Sequence, residues 1–199
     1  MANVLAIGAH PDDLELGCFG VLELHKRNND KLYGMIVTNG EKGGDPNQRR
    51  EEAKKSANII GMNIVFGEYK DGYVTHDIGL ISMIENFIIE NQIDVIYATS
   101  IHDRHQDHAN VGLSVLVAGR KAKEVYAYET ISCTNEFHPT LYVDVTESMD
   151  IKRKCLEKHE SQDHRAYMKN YESFNKYRSL KIDKPENYHE VFEVIKIVR

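Results

Sequence analysis

Apolar positions along the chain alternate between two patterns. Short continuous runs read as strands buried on both faces: residues 3–9, 31–38, 63–66, 94–99, 125–128, 141–145 and a late run, EVFEVIKIV, at 190–198. Stretches with helical spacing lie between them. Residues 13 to about 27 repeat Leu14, Leu16, Val21, Leu22 and Leu24, and 78–91 places Ile81, Ile84, Phe87 and Ile88 on one side. Residues 49–61, 111–121 and 147 to about 159 also read as helices, with Gly61 placed as the residue that ends the first of these. Asn39-Gly40 marks a turn, and 41–48, rich in Gly, Asp, Asn and Pro, a loop. Two stretches have no period: SIHDRHQDHANVG at 100–112, and the polar, tyrosine-rich 163–190, which receives no element. The alternation predicts an α/β fold with a mostly parallel sheet and helices on both faces. Ligands of such sheets bind at the carboxyl ends of strands, near a switch in strand order. The loop after the first strand and the aperiodic loop after the fourth then open onto one crevice.

Composition narrows the class. The 199 residues suit a single domain spanning 1–199, with 41% hydrophobic and 28% charged residues and no internal repeat. A net charge of −6 counts against nucleic acid and anionic membrane surfaces as partners. The opening VLAIGA reads as a strand rather than a signal peptide, and no apolar stretch nears the roughly 20 residues that span a bilayer. Cys18, Cys133 and Cys155 are odd in number and widely spaced, so reduced thiols in a cytoplasmic protein are expected.

The chemistry concentrates in two motifs. The first is AIGAHPDDLELGCFG, residues 6–20. A dinucleotide turn would carry Gly-x-Gly-x-x-Gly, whereas here His10, Asp12 and Asp13 stand where a pyrophosphate would sit. Histidine and carboxylate together suit Zn²⁺ or Fe²⁺. Adjacent side chains diverge, so one aspartate ligates and the other stays free; spacing alone does not say which. The second motif, HDRHQDH at 102–108, offers His102, His105, His108, Asp103 and Asp107 for a third ligand. Three protein ligands with an open position make a catalytic zinc site, and a free carboxylate beside it can serve as general base. The structural alternative makes Asp12 an N-cap and Asp13 a favourable first-turn charge, worth roughly 1 kcal/mol; it leaves His10 unexplained.

At these residues the chain resembles the LmbE-like, or PIG-L, metal-dependent N-deacetylases, which are Rossmann-like. AHPDD at 9–13 and HQDH at 105–108 match the family's A-H-P-D-D and H-x-D-H motifs. RREEA at 49–53, KCLEKHESQ at 154–162 and YHEVF at 188–192 extend the likeness over most of the chain. The resemblance implies removal of acetyl from an N-acetylglucosamine-type sugar or its conjugate, a small-molecule partner. It implies one divalent ion, Zn²⁺ or Fe²⁺, on His10, Asp13 and His108, which activates the attacking water. Asp12 is implied as general base and His105 as oxyanion stabiliser, its protonation set by Asp107. Arg49 and Asp71 are candidate substrate contacts, with an ion pair and a turn aspartate as their structural alternatives. Residues 163–187 do not match the glycine-containing segment the family carries there, and His102, His159 and His164 receive no role. Two rivals stand beside this: a metal amidase on a non-sugar amide, and a non-catalytic Rossmann-like binding domain. A homo-oligomer is compatible with each.

Overall fold

The computed structural model describes residues 1–162 and 164–198. Seven strands form one sheet: β1 (Asn3–Gly8), β2 (Lys31–Thr38), β3 (Asn63–Tyr69), β4 (Val95–Thr99), β5 (Glu124–Tyr128), β6 (Leu141–Asp144) and β7 (His189–Ile197). Their order is β3-β2-β1-β4-β5-β7-β6, parallel from β3 through β5 and antiparallel where β7 meets β5 and β6. The α/β expectation of a mostly parallel, doubly covered sheet holds. Side chains alternate along β1: Val4 and Ala6 enter one core, Leu5 and Ile7 the other. Strand order reverses between β1 and β4, so the loops leaving these two strands flank the switch point.

Among the described residues seven α-helices cover the sheet: α1 (Asp13–Gly17), α2 (Phe19–Arg27), α3 (Pro46–Ile60), α4 (Ile78–Glu90), α5 (Gln106–Ala118), α6 (Met149–Leu156) and α7 (His164–Leu180). The boundaries differ from the sequence expectation where a capping residue outweighs periodicity. Asp45 accepts a hydrogen bond from the Gln48 N–H, so α3 starts at Pro46 inside the expected loop. His105 caps α5 through the Asp107 N–H, which turns the aperiodic HQDH into a helix start. The unassigned 163–190 region contains α7, whose Met168 and Tyr171 pack on Leu16 and Leu156 while much of its surface stays polar.

The single helix expected over 13–27 is broken at Cys18, which has φ −145° and ψ 7°. The break leaves polar backbone groups that a buried ion pair satisfies. Glu190 of β7 accepts from the Gly20 and Val21 N–H groups at 2.9 and 2.8 Å. Lys152 of α6 donates to Glu190 at 2.7 Å and to the Leu16 carbonyl at 2.8 Å. Gly17 is also required here, because a Cβ would lie 2.2 Å from the Tyr128 ring. The Tyr128 hydroxyl in turn donates to the Ile7 carbonyl at 3.0 Å and holds the end of β1. Lys152 and Glu190 are both almost fully buried. Glu190→Ala is therefore expected to cost about 3 kcal/mol or more, because the remaining ammonium is buried without its counter-charge. Urea unfolding checks this, and a loss below about 1 kcal/mol, the surface-pair range, would contradict it.

Candidate metal centre

The loop after β1 and the start of α5 bring three donor atoms to one point. His10 Nδ1 and His108 Nε2 are 3.2 Å apart, and Asp13 Oδ1 lies 3.2 Å from His108 Nε2. Asp13 Oδ2, 3.5 Å from His10 Nδ1, accepts from the Ala9 and His10 N–H groups at 2.8 Å each, which leaves Oδ1 free to face the imidazoles. Ligands around a tetrahedral Zn²⁺ at ordinary bond lengths sit about 3.4 Å from one another, so this spacing fits a cation.

The far side of each imidazole is tied to carboxylates. His108 Nδ1 lies 3.0 Å from Asp103 Oδ2. His10 Nε2 lies 3.2 Å from both Asp107 Oδ2 and Asp71 Oδ1. An N–H directed at these carboxylates fixes the tautomer that points a lone pair inward. His105 also comes near: its ligand atom, with those of His10 and His108, forms a group within 4.8 Å. Its Nδ1 accepts from the Asp107 N–H, so the neutral ring carries its proton on Nε2.

Electrostatics favour positive charge at this point. Burial pulls His10 down, but its hydrogen bonds to Asp107, Asp13 and Asp71 push it up to about 12. Burial opposes His108 likewise, and Asp13 and Asp103 raise it to about 10. The hydrogen bond from His10 lowers Asp71 to about 2. Burial works to raise Asp103, but its hydrogen bond with His108 holds it near 2. Four ionised carboxylates, at 13, 71, 103 and 107, thus surround two imidazoles, and the donor set fits a divalent cation.

Asp12 stands apart from the converging donors. It occupies the N-cap position of α1, yet its side chain makes no capping bond and its backbone has φ 109°. Non-glycine residues rarely adopt this conformation, which costs on the order of 1–3 kcal/mol. The carboxylate instead meets Arg49 Nη2 at 3.2 Å. Arg49 is buried and also donates to the Pro11 and Gly40 carbonyls at 2.7 Å each, so it braces the loop rather than lying on a helix surface. Burial and the neighbouring Asp13 charge raise Asp12 to about 7, against the pull of Arg49 and His159. His105 moves the other way: burial, then the His108 and His10 charges, lower it, so its neutral form is favoured.

These groups line a cleft of about 470 Å³, walled further by Lys42, Ile131, Gln162 and Tyr171. Among the sequence candidates, His10, Asp12, Asp13, Arg49, Asp71, His105 and His108 all line it. Asp107 is buried and directs its carboxylate to His10 and to the Gly72 and Val74 N–H groups. It meets His105 through its backbone. Asp103, which carried no individual role in the sequence, orients His108. His159 pairs with Glu15 at 3.0 Å inside the protein, and His102 lies 3.5 Å from Glu136. The side chain of His164 lies outside the described residues. The signal that could have found Asp103 is its place within the motif, five residues before His108. Nothing in the sequence singles out Ile131 or Tyr171.

Asp71→Asn is expected to weaken Zn²⁺ affinity about 10–100-fold, the usual effect of losing a carboxylate behind a histidine ligand. Competition with a chromophoric chelator measures this. Unchanged affinity would return Asp71 to the role of a sugar contact.

Fold and site together define an α/β protein with a candidate cation site at the switch point of its sheet. The PIG-L family profile, described as GlcNAc-PI de-N-acetylase, matches residues 5–118, and the chain belongs to this family. It is 35% identical over 171 residues to the uncharacterized deacetylase YaiS of Escherichia coli strain K12, a match covering 80% of this chain and 91% of that protein. The N,N'-diacetylchitobiose deacetylase of Pyrococcus horikoshii shares the fold at TM-score 0.84 and 20% identity, over 97% of this chain and 83% of that one. GalB of Pseudomonas putida KT2440, a 4-carboxy-2-hydroxymuconate hydratase, shares it at TM-score 0.86 and 19% identity, over 100% and 98%. The scaffold thus occurs with more than one chemistry.

Proposed function

We infer that the protein is a divalent-metal-dependent N-deacetylase that hydrolyses the acetamide of an N-acetylglucosamine-type sugar or its conjugate. The observation that carries this reading is the convergence of His10 Nδ1, His108 Nε2 and Asp13 Oδ1 beside an aspartate that binds none of them. His10, Asp13 and His108 would hold the ion, Zn²⁺ or Fe²⁺. When bound, it supplies Lewis acidity that polarises the amide carbonyl and brings the pKa of a water toward neutrality. Asp12 takes the proton from the attacking water and returns it to the departing amine. A carboxylate raised toward neutrality by burial and the neighbouring Asp13 charge can do both. Arg49 holds Asp12 in its strained loop and thereby its aim. The Nε2–H of His105 donates to the carbonyl oxygen as negative charge develops on it. Asp71, Asp103 and Asp107 keep the two metal-binding rings in one tautomer.

The name of the Pyrococcus relative supports an amino-sugar substrate, and the cleft has room for a sugar with a conjugated group. Cys18, Cys133 and Cys155 are free, and among the described residues no helix is long and apolar enough to cross a membrane. Acetate release by zinc-loaded protein from N-acetylglucosamine, diacetylchitobiose and simple non-sugar amides tests the reading. Acetate and free amine are expected from the sugars. Turnover of the simple amides alone would contradict it and favour the metal amidase.

A further inference from the structure

The turn after β3 carries a second arrangement, whose meaning rests on the deacetylase reading above. Residues 70–73 are Lys-Asp-Gly-Tyr. Asp71 faces inward to His10, Gly72 lines the cleft, and Tyr73 stands outward with 62% of its surface exposed. Lys42, from the loop after β2, lies across this turn: a Cβ at Gly72 would come within 1.8 Å of its Nζ. That nitrogen is 4.7 Å from the centre of the Tyr73 ring, and Lys70 brings its own ammonium to 4.5 Å from the same ring. Glycine at position 72, with φ +76°, serves both the turn and the passage of Lys42.

Two ammonium groups gathered on one ring repel each other. Each recovers only about 0.5–1 kcal/mol from an exposed aromatic face. Neither forms an ion pair among the described residues, whereas the neighbouring Arg49 and Arg50 do. In a chain of net charge −6, Lys42 therefore brings an unneutralised cation to a cleft lined by the carboxylates of Asp12, Asp13 and Asp71, and Lys70 stands beside it over the same Tyr73 ring. Those carboxylates repel an anion, and the two ammonium groups attract one.

We propose that Lys42, Lys70 and Tyr73 form a clamp that selects amino sugars bearing a negatively charged substituent, a phosphate or a carboxylate. The ammonium groups supply point charges and rotatable donors to the oxyanion, and the tyrosine ring supplies a face for the sugar.

The test compares zinc-loaded wild type with the Lys42→Ala/Lys70→Ala double variant. The substrates are a neutral methyl N-acetylglucosaminide, N-acetylglucosamine 1- and 6-phosphates, and an N-acetylglucosaminide with a carboxylate aglycone. Both lysines are exposed, so the variant keeps its core. In wild type, KM for at least one anionic sugar is expected to be about tenfold below that of the neutral sugar, the sum of two exposed ion pairs, and to rise with salt. The double variant is expected to erase that difference by raising KM for the anionic sugar. The phosphate and carboxylate arms identify which oxyanion is selected. Equal KM for neutral and anionic sugars in wild type, or a preference that survives the double variant, overturns the clamp. Calorimetric binding of the same sugars separates the two readings. Lysine-dependent binding of an anionic sugar without acetate release keeps the clamp and removes the deacetylase; acetate release without anion preference does the reverse.

Discussion

Asp12→Asn is expected to leave the metal centre loaded and to lower acetate release by about 10²–10⁴-fold, the ordinary contribution of a positioned general base. The substitution is close to isosteric, and asparagine tolerates a positive φ better than most residues, so the loop at φ 109° can persist. What changes is the ability to accept a proton. Arg49 loses its charged partner but keeps the Pro11 and Gly40 carbonyls, so the fold is expected to survive. Metal content distinguishes this outcome from collapse of the site: one equivalent of zinc with little turnover assigns Asp12 to proton transfer. Near-normal turnover would remove it from the mechanism, and loss of zinc would make it a ligand.

Removal of the ion is expected to reduce acetate release to background, with restoration on adding Zn²⁺. At about a thousandfold excess over Kd, binding stabilises the folded state by roughly 4 kcal/mol, which for a chain of this size corresponds to a Tm rise on the order of 10 °C. Asp13→Ala is expected to abolish both the activity and the zinc-dependent rise. The pH dependence follows from the raised histidines. Without metal, the folded protein keeps His10 and His108 protonated up to about 12 and about 10, while the unfolded chain releases those protons near 6.5. Their contribution to stability is therefore fully present below about pH 6.5 and is lost as pH rises through the folded values. The ion must displace the same protons, so apparent zinc affinity is expected to rise with pH across the neutral range. Isothermal titration in buffers of different ionisation enthalpy counts the protons released; none released would contradict the assignment of imidazole ligands.

Much of the fold was legible because its central parallel strands are buried on both faces, and strands such as VIYAT at 95–99 are continuous apolar runs. The break at Cys18 was not legible. It depends on Glu190 and Lys152, which reach the first helix from the far end of the chain. α7 was hidden for another reason: it buries Met168 and Tyr171 against neighbouring helices while exposing polar residues over much of its length, which leaves a weak period. Within the site, His10, Asp12, Asp13 and the HQDH histidines stood out because turns do not need such residues in that density. Spacing left the two aspartates interchangeable, the family resemblance implied Asp13 as ligand and Asp12 as base, and in the structure Asp13 faces the imidazoles and Asp12 faces Arg49. Asp71 was read as a substrate contact or a turn aspartate, and Asp107 as the residue that sets the protonation of His105. Their shared contact with His10 Nε2 joins segments 36 positions apart, which no local pattern encodes.

Distant segments of the chain are expected to meet around one cation. Anomalous diffraction at the zinc edge, from crystals of the zinc-loaded protein, tests it most directly. A single strong peak is expected at about 2.0–2.2 Å from His10 Nδ1, His108 Nε2 and an Asp13 oxygen, with the Asp12 carboxylate outside bonding distance. Absence of a peak between these side chains, or zinc held by Asp12 in place of Asp13, would contradict it.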